Sequence, residues 1–97
     1  MGNNTSFSRK TLVRAEFGIH ARPASKIAQM AESAHSDICL RVGTLKADAT
    51  DVLDMLSLGA VKGTEIVVEM KKIEKQEDME IVNNILEFFE SGFGEII

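Results

Sequence analysis

The chain has 97 residues, of which 44% are hydrophobic and 27% charged, and its formal net charge is −4 at pH 7. This composition is typical of one small domain with an apolar core, so we expect a single domain over residues 1–97. The acidic balance and the absence of Trp and Tyr argue against nucleic-acid binding. No apolar run reaches the roughly 20 residues of a membrane span, and the polar N-terminus lacks a secretory signal pattern. We therefore expect a cytoplasmic protein without membrane insertion.

Cysteine and histidine are too scarce to suggest redox or metal chemistry. The chain has one cysteine and two histidines, which allow no intrachain disulfide and give little material for a structural zinc site. We predict no metal site and no cofactor, and we interpret Cys39 as a structural thiol within a strand.

The first elements are a strand and a helix. Residues 1–9 are polar except for Phe7, and we expect them to fray. Residues 10–17 alternate loosely and predict a strand that Gly18 ends. The apolar period then becomes helical, and Pro23 fits the first turn because its missing N–H would have no partner there.

The remaining elements follow in the order βαββαβα. The first helix is expected to end at residues 35–37, and glycine turns separate the later segments. These segments are strands near 38–42, 45–47 and 64–70 and helices near 52–58 and 79–90. Two or three amphipathic helices with four one-sided strands predict an α+β fold, in which helices cover one face of a mainly antiparallel sheet.

The stretch GIHARPA, residues 18–24, contains the candidate reactive residue. If the helix begins near Ala21, His20 is its N-cap, beside backbone N–H groups that favour an anion. The same field favours a neutral, nucleophilic imidazole. Arg22 adds a cation whose planar donors suit phosphate oxygens. The pattern therefore indicates phosphoryl chemistry, although spacing alone favours a capping histidine and a solvated arginine.

GIHARPA resembles the phosphorylation-site signature of the HPr family, the histidine-containing phosphocarriers of the phosphoenolpyruvate-dependent phosphotransferase system. SLGAVKG at 57–63 resembles the segment after the family's short second helix, and the tail FFESGFGE resembles the ending of the nitrogen-related branch. The resemblance runs from about Lys10 to Phe93. It implies a single domain with an open-faced β-sandwich, whose four-stranded sheet is covered on one face by three helices.

The resemblance also implies a role for each residue of the motif. His20 would accept a phosphoryl group from phosphorylated enzyme I through Nδ1 and pass it to a IIA-type protein, in sugar uptake or its regulation. Ala21 and Arg22 would bind the phosphoryl oxygens, while Gly18 and Pro23 would be structural. Such a protein is a phosphoryl-group carrier rather than a turnover enzyme, and we expect a monomer.

Asp51 departs from the family pattern. Alignment on SLGAVKG places it where Gram-positive members carry a regulatory serine, so kinase control at this position is in doubt; Thr50 is the adjacent alternative. We interpret Asp51 as a helix N-cap, with the hypothesis that its charge mimics the phosphorylated, less transfer-competent form. Asp48 and Asp54 make the same region acidic, which predicts a change in partner choice or association rate.

The short helix also supplies the candidate partner interface. Val52, Leu53 and Leu56 are expected to divide between the core and a docking surface. His35 is interpreted as a solvated or capping residue with no link to His20. The alternative function is a non-transferring regulatory module that binds partners through its helical face, against which His20 and Arg22 both count.

Overall fold

The computed structural model of the chain describes residues 6–95 and contains the predicted succession of elements. In chain order these are β1 (Phe7–Leu12), α1 (Ala21–Ala31), β2 (Ile38–Val42), β3 (Leu45–Asp48), α2 (Val52–Leu56), β4 (Glu65–Met70), α3 (Gln76–Glu90) and a 3₁₀ turn (Gly92–Gly94). No helix in this part of the chain has both the length and the apolar character needed to cross a membrane.

The four strands form one sheet in the order β1-β4-β2-β3, and each neighbouring pair is antiparallel. The central strand β4 pairs with both β1 and β2, so that Met70 lies opposite Phe7 on one side and Ile38 on the other. With three helices and an open sheet face, the predicted open-faced β-sandwich is confirmed.

The hydrophobic core lies between the sheet and the helices. Alternation along β4 places Ile66, Val68 and Met70 on the covered face, each at most 1% exposed. They belong to one buried cluster with residues of the other strands and of the helices, including Leu40, Ile27, Val82, Ile85 and Phe89. Burial of a large aliphatic or aromatic side chain stabilises a fold by about 1.5–3 kcal/mol, so this cluster holds the helices on the sheet.

The N-terminal strand differs from the prediction. β1 spans Phe7–Leu12 rather than 10–17, so residues 7–9 do not fray; Phe7 is only 8% exposed in the core. Residues 1–5 lie outside the described residues. Val13 and Ala15 are buried in the loop that follows, which explains why their alternation resembled a strand. Gly18 therefore ends no strand.

The end of α1 is anchored by a buried carboxylate that sequence reasoning missed. The helix stops at Ala31, before the predicted 35–37. Asp78 is fully buried, and its Oδ1 lies 3.0 Å from both the backbone nitrogen and Nδ1 of His35. Its Oδ2 accepts from the backbone N–H groups of Glu74 and Lys75. His35 thus connects the α1–β2 loop to α3, and no hydrogen bond joins it to His20 within residues 6–95.

The open face of the sheet carries Cys39, the only cysteine of the chain. Cys39 lies opposite Glu69 of β4, and its thiol donates to the Glu69 carboxylate at 3.3 Å. Partial burial, followed by this hydrogen bond and the charge of Glu69, raises the pKa of the Cys39 thiol. A raised pKa disfavours the reactive thiolate, which agrees with a structural thiol.

Asp78 predicts acid sensitivity. Burial alone would raise the pKa of Asp78, but the hydrogen bonds from His35, Glu74 and Lys75 outweigh it and lower the pKa from 3.8 to about 2. A lowered folded-state pKa stabilises the fold above the unfolded-state value, and this stabilisation is lost as the pH falls through the folded-state value. We expect Asp78→Asn to lower the free energy of unfolding at pH 7 by about 2 kcal/mol, and roughly half as much at pH 3.

Urea unfolding at the two pH values measures this difference. Asp37→Asn is the matched control, because Asp37 is exposed and the substitution removes the same charge. An equal penalty for Asp78→Asn at pH 7 and pH 3 would show that the carboxylate charge is not what stabilises this junction.

Candidate functional site

Gly18 brings the loop before α1 against the segment that follows α2. Its φ is +66°, in the left-handed region that favours glycine. A Cβ atom on Gly18 would overlap the carbonyl oxygen of Ala60, and the same oxygen accepts from the N–H of Ile19 at 3.0 Å. This close approach sets the position of His20, so Gly18 is structural for a different reason from the one predicted.

His20 is the N-cap of α1, as the sequence predicts. Its backbone is extended, and its carbonyl accepts the first helical hydrogen bond from Ala24. Pro23 lies buried in the first turn and has no N–H to donate. The remaining free donors of this turn are the N–H groups of Ala21 and Arg22, which find no acceptor among residues 6–95. Two exposed backbone donors therefore stand beside the imidazole.

A carboxylate from the other end of the chain reaches this helix start. Oε2 of Glu95 lies 2.6 Å from Nε2 of His20 and 3.4 Å from NH2 of Arg22. The Glu95 side chain is only 13% exposed, and its Oε1 is buried without a partner among the described residues. Because a carboxylate accepts, this contact assigns a proton to Nε2, and in a singly protonated ring the lone pair is then on Nδ1.

The turn after α3 places Glu95. Gly92, Phe93 and Gly94 have φ values of 67°, 61° and 70°. A left-handed phenylalanine is uncommon, and here packing holds it: the buried Phe93 ring lies 5.0 Å from Phe88 and 5.1 Å from Phe89, centroid to centroid. The anchored turn reverses the chain and brings Glu95 to His20.

Glu95 and Phe17 are the residues of this region that sequence reasoning missed. Glu95 is the last residue of the tail FFESGFGE, whose resemblance indicates a branch of the family. That resemblance gives Glu95 no role beside His20. The one available signal was an aromatic residue between two glycines, which indicates a tight turn after a helix. Phe17 is the last residue of the predicted strand 10–17, but it lies outside β1, its side chain is 78% exposed, and its ring centroid lies 6.4 Å from that of His20.

The short helix α2 packs against α1, and its candidate interface residues differ in exposure. Leu53 is 78% exposed, whereas Val52 and Leu56 are half-buried. Asp51 is the N-cap of α2, as predicted, and its Oδ1 accepts from the N–H of Asp54 at 3.1 Å. An exposed leucine beside half-buried neighbours is suited to a contact surface.

The site as a whole is suited to anions. An arginine, two backbone donors and a helix N-terminus lie beside an imidazole whose Nδ1 forms no hydrogen bond within residues 6–95. Within residues 6–95, no three His, Cys, Asp or Glu side chains converge in the manner of a metal site. Phosphoryl transfer needs mainly alignment and charge stabilisation, and cationic and N–H donors of this kind are suited to it.

The chain is similar to proteins of known family in both sequence and structure. Residues 7–91 match the family model described as PTS HPr component phosphorylation site. The phosphocarrier protein NPr of Proteus mirabilis is 32% identical over 90% of this chain and 94% of its own. The phosphocarrier protein HPr of Chlamydia pneumoniae is 33% identical over 88% of this chain and 76% of its own. The crystal structure of HPr-C-His from Thermoanaerobacter tengcongensis superposes with a TM-score of 0.81 at 25% identity, covering 94% of this chain and 99% of that one.

Gly18 predicts a steric penalty that a second glycine lacks. Gly18→Ala combines left-handed strain with overlap at Ala60, whereas Gly59→Ala, at φ +63°, meets no atom within 4 Å. We expect Gly18→Ala to lower the free energy of unfolding by at least about 1 kcal/mol more than Gly59→Ala. Thermal and urea unfolding of the two variants compare them directly. Equal losses would mean that the close approach at Ala60 relaxes without cost.

Proposed function

The chain belongs to the HPr family of phosphocarrier proteins of the phosphotransferase system, and from this premise we propose that His20 carries the phosphoryl group. The donor is phosphorylated enzyme I, and the acceptor is a histidine of a IIA-type protein. The observation that carries the proposal is the contact of Nε2 with Glu95, because it leaves the lone pair on Nδ1.

The transfer step exchanges one nitrogen–phosphorus bond for another. The Nδ1 lone pair of His20 attacks the phosphorus of the donor phosphohistidine, and the donor's bond breaks with its electron pair returning to the donor imidazole. The His20 ring thereby becomes positively charged and retains its proton on Nε2. The Glu95 carboxylate, 2.6 Å from Nε2, stabilises this charge as carboxylates do beside other catalytic histidines. Transfer to the acceptor runs through the same steps in reverse.

The phosphoryl oxygens are bound by groups at the start of α1. The N–H groups of Ala21 and Arg22 donate to them, and the Arg22 guanidinium neutralises their charge. The Arg22 side chain is 79% exposed and holds Glu95 only at 3.4 Å, which is long for a charge-assisted hydrogen bond. Arg22 is thus free to turn toward the incoming group without breaking a buried contact.

The partner surface is proposed to include α2. Leu53 provides exposed apolar area, Val52 and Leu56 extend it, and Asp51 adds negative charge at its edge. Because opposite charges steer association, this edge favours partners with basic docking surfaces and slows association with acidic ones, the class to which we assign enzyme I. The acidic residues at α2 and the sequence SGF in the tail FFESGFGE support a role in the nitrogen-related, regulatory branch of the family. The other possible role is in sugar uptake. We further propose a cytoplasmic monomer, whose state sedimentation would measure.

The alternative is a regulatory module that keeps the fold and binds partners without transferring phosphate. Such a module needs neither a fixed imidazole tautomer nor Arg22 at the helix start. A labelling experiment on His20 therefore distinguishes the two functions.

His20 is predicted to be the only labelled histidine. After incubation with phosphoenolpyruvate and enzyme I from the same source, we expect an acid-labile, base-stable adduct on the wild type and on His35→Ala. We expect none on His20→Ala, because that variant lacks the nucleophile. His35 is the only other histidine, so His35→Ala is the matched control, and intact-mass spectrometry with circular dichroism monitors label and fold. An adduct that survives in His20→Ala, or its absence from the wild type, contradicts the proposal.

Asp51 is predicted to slow transfer through its charge alone. Asp51→Asn removes the charge, and Asn caps a helix about as well as Asp, so α2 should persist with unfolding free energy changed by less than about 0.5 kcal/mol. We expect the rate of phosphorylation by enzyme I to rise roughly threefold at low ionic strength. Asp37→Asn controls for net charge. An unchanged rate in Asp51→Asn would leave Asp51 as a cap only.

A further inference from the structure

Glu90, the last residue of α3, occupies a position that the helix itself disfavours for an acidic side chain. A helix C-terminus carries partial negative charge, and α3 has no basic residue in its last turn to compensate it. The Glu90 carboxylate instead binds the N-terminal part of the chain. Its Oε2 accepts from the hydroxyl of Thr11 at 2.6 Å, and its Oε1 lies 2.9 Å from NH2 of Arg14. We call these three residues the Glu90 clamp.

The bond with Thr11 is the stronger contact of the clamp. Thr11 is only 5% exposed, and 2.6 Å is typical of a charge-assisted O–H···O⁻ hydrogen bond. The hydrogen bond from Thr11, followed by the contact with Arg14, lowers the pKa of Glu90 and keeps its carboxylate charged at neutral pH. The Arg14–Glu90 ion pair is about half exposed and adds less, because solvent screens it.

The clamp joins the two segments that supply the candidate site. Two of its members precede His20 along the chain, and Glu90 precedes Glu95 by five residues. The turn Gly92–Gly94 leads from the clamp directly to Glu95, whose Oε2 lies 2.6 Å from Nε2 of His20. A contact this short is sensitive to where the end of α3 lies, and a misplacement of about 1 Å in a reacting site can cost 100-fold in rate.

We propose that Glu90 is a positioning residue for phosphoryl transfer. By holding the end of α3 on the N-terminal segment, it keeps the Glu95 carboxylate against Nε2 of His20. When Nδ1 attacks the donor phosphorus, the ring becomes positively charged, and a carboxylate that is already in place stabilises this charge without reorganisation. This inference rests on the proposed function, in which Nδ1 of His20 is the nucleophile.

The test breaks the clamp from each side with little change in shape. Glu90→Gln removes the charge, Thr11→Val removes the donor, and Thr11→Ser keeps it. Glu69→Gln is the matched control, because Glu69 also pairs with an arginine, Arg41 at 3.0 Å, but on the open face of the sheet. Each variant is assayed with phosphorylated enzyme I for kcat and KM, and with phosphoramidate, a small phosphoryl donor that needs no docking surface.

We expect kcat to fall about fivefold in Glu90→Gln and at least about threefold in Thr11→Val, with KM changed by less than about twofold. Phosphoramidate labelling should slow by the same factors, since the attack by the ring is affected and docking is not. Thr11→Ser and Glu69→Gln should stay within about twofold of wild type. An unchanged kcat in both Glu90→Gln and Thr11→Val overturns the inference, as does an equal fall in Glu69→Gln.

A double variant shows whether Glu90 acts through Glu95. We expect Glu95→Gln to lower kcat about tenfold, and Glu90→Gln to add nothing in that background, because effects that pass through one contact are not additive. In nitrogen-15 NMR, the hydrogen-bonded Nε2–H signal of His20 should weaken in Glu90→Gln and persist in Glu69→Gln. Multiplying losses in the double variant, or an unchanged Nε2–H signal in Glu90→Gln, would overturn the inference.

Failure of the proposed function would look different from failure of this inference. The wild type itself would then take no phosphoryl group on His20 from enzyme I, and the role of Glu90 in transfer would be refuted with it. A wild type that is labelled normally, beside clamp variants that are labelled equally fast, refutes the positioning role alone.

Discussion

The contact between His20 and Glu95 joins residues 75 positions apart, and it depends on how α3 is held against the start of the chain. The hydroxyl of Thr11 donates to Glu90 at 2.6 Å, and Arg14 contacts the same carboxylate. These bonds fasten the last turn of α3 to the segment that leads into α1. Because the end of α3 is held there, the short turn Gly92–Gly94 is enough to bring Glu95 into contact with the imidazole of His20. The candidate site is therefore assembled by the tertiary fold, although the histidine proposed as its nucleophile belongs to a local motif.

The sequence was most informative where a local pattern determines a local structure. His20 as the N-cap of α1 and Asp51 as the N-cap of α2 are both observed, because capping depends on a few neighbouring residues. The strand order β1-β4-β2-β3 was not predicted, and the predicted boundaries of β1 were wrong. The buried Val13 and Ala15 alternate with the exposed Arg14 and Glu16 in a loop, and periodicity alone does not distinguish such a loop from a strand.

The contacts that the sequence did not reveal are those between distant side chains. Asp78 resembles any acidic residue in the first turn of a helix, and only the folded chain shows that it receives the N–H and the ring of His35. The position of Glu95 beside His20 depends on the left-handed conformation of Phe93. That conformation depends in turn on packing of the Phe93 ring against Phe88 and Phe89. The roles of Ala21 and Arg22 rest on the family resemblance and on the free donors at the helix start, and their part in transfer remains a proposal.

The open face of the sheet has a practical consequence for the study of this protein. Cys39 is the only thiol in the chain and lies on the side of the sheet that no helix of residues 6–95 covers, whereas His20 begins a helix on the other side. A fluorophore attached there would report rotational diffusion of the carrier without occupying the helical face. Since the hydrogen bond to Glu69 and partial burial raise the pKa of this thiol, labelling would require alkaline conditions, in which a phosphohistidine, being base-stable, would survive. The native chain thus supplies a single attachment point for following complexes in their phosphorylated state.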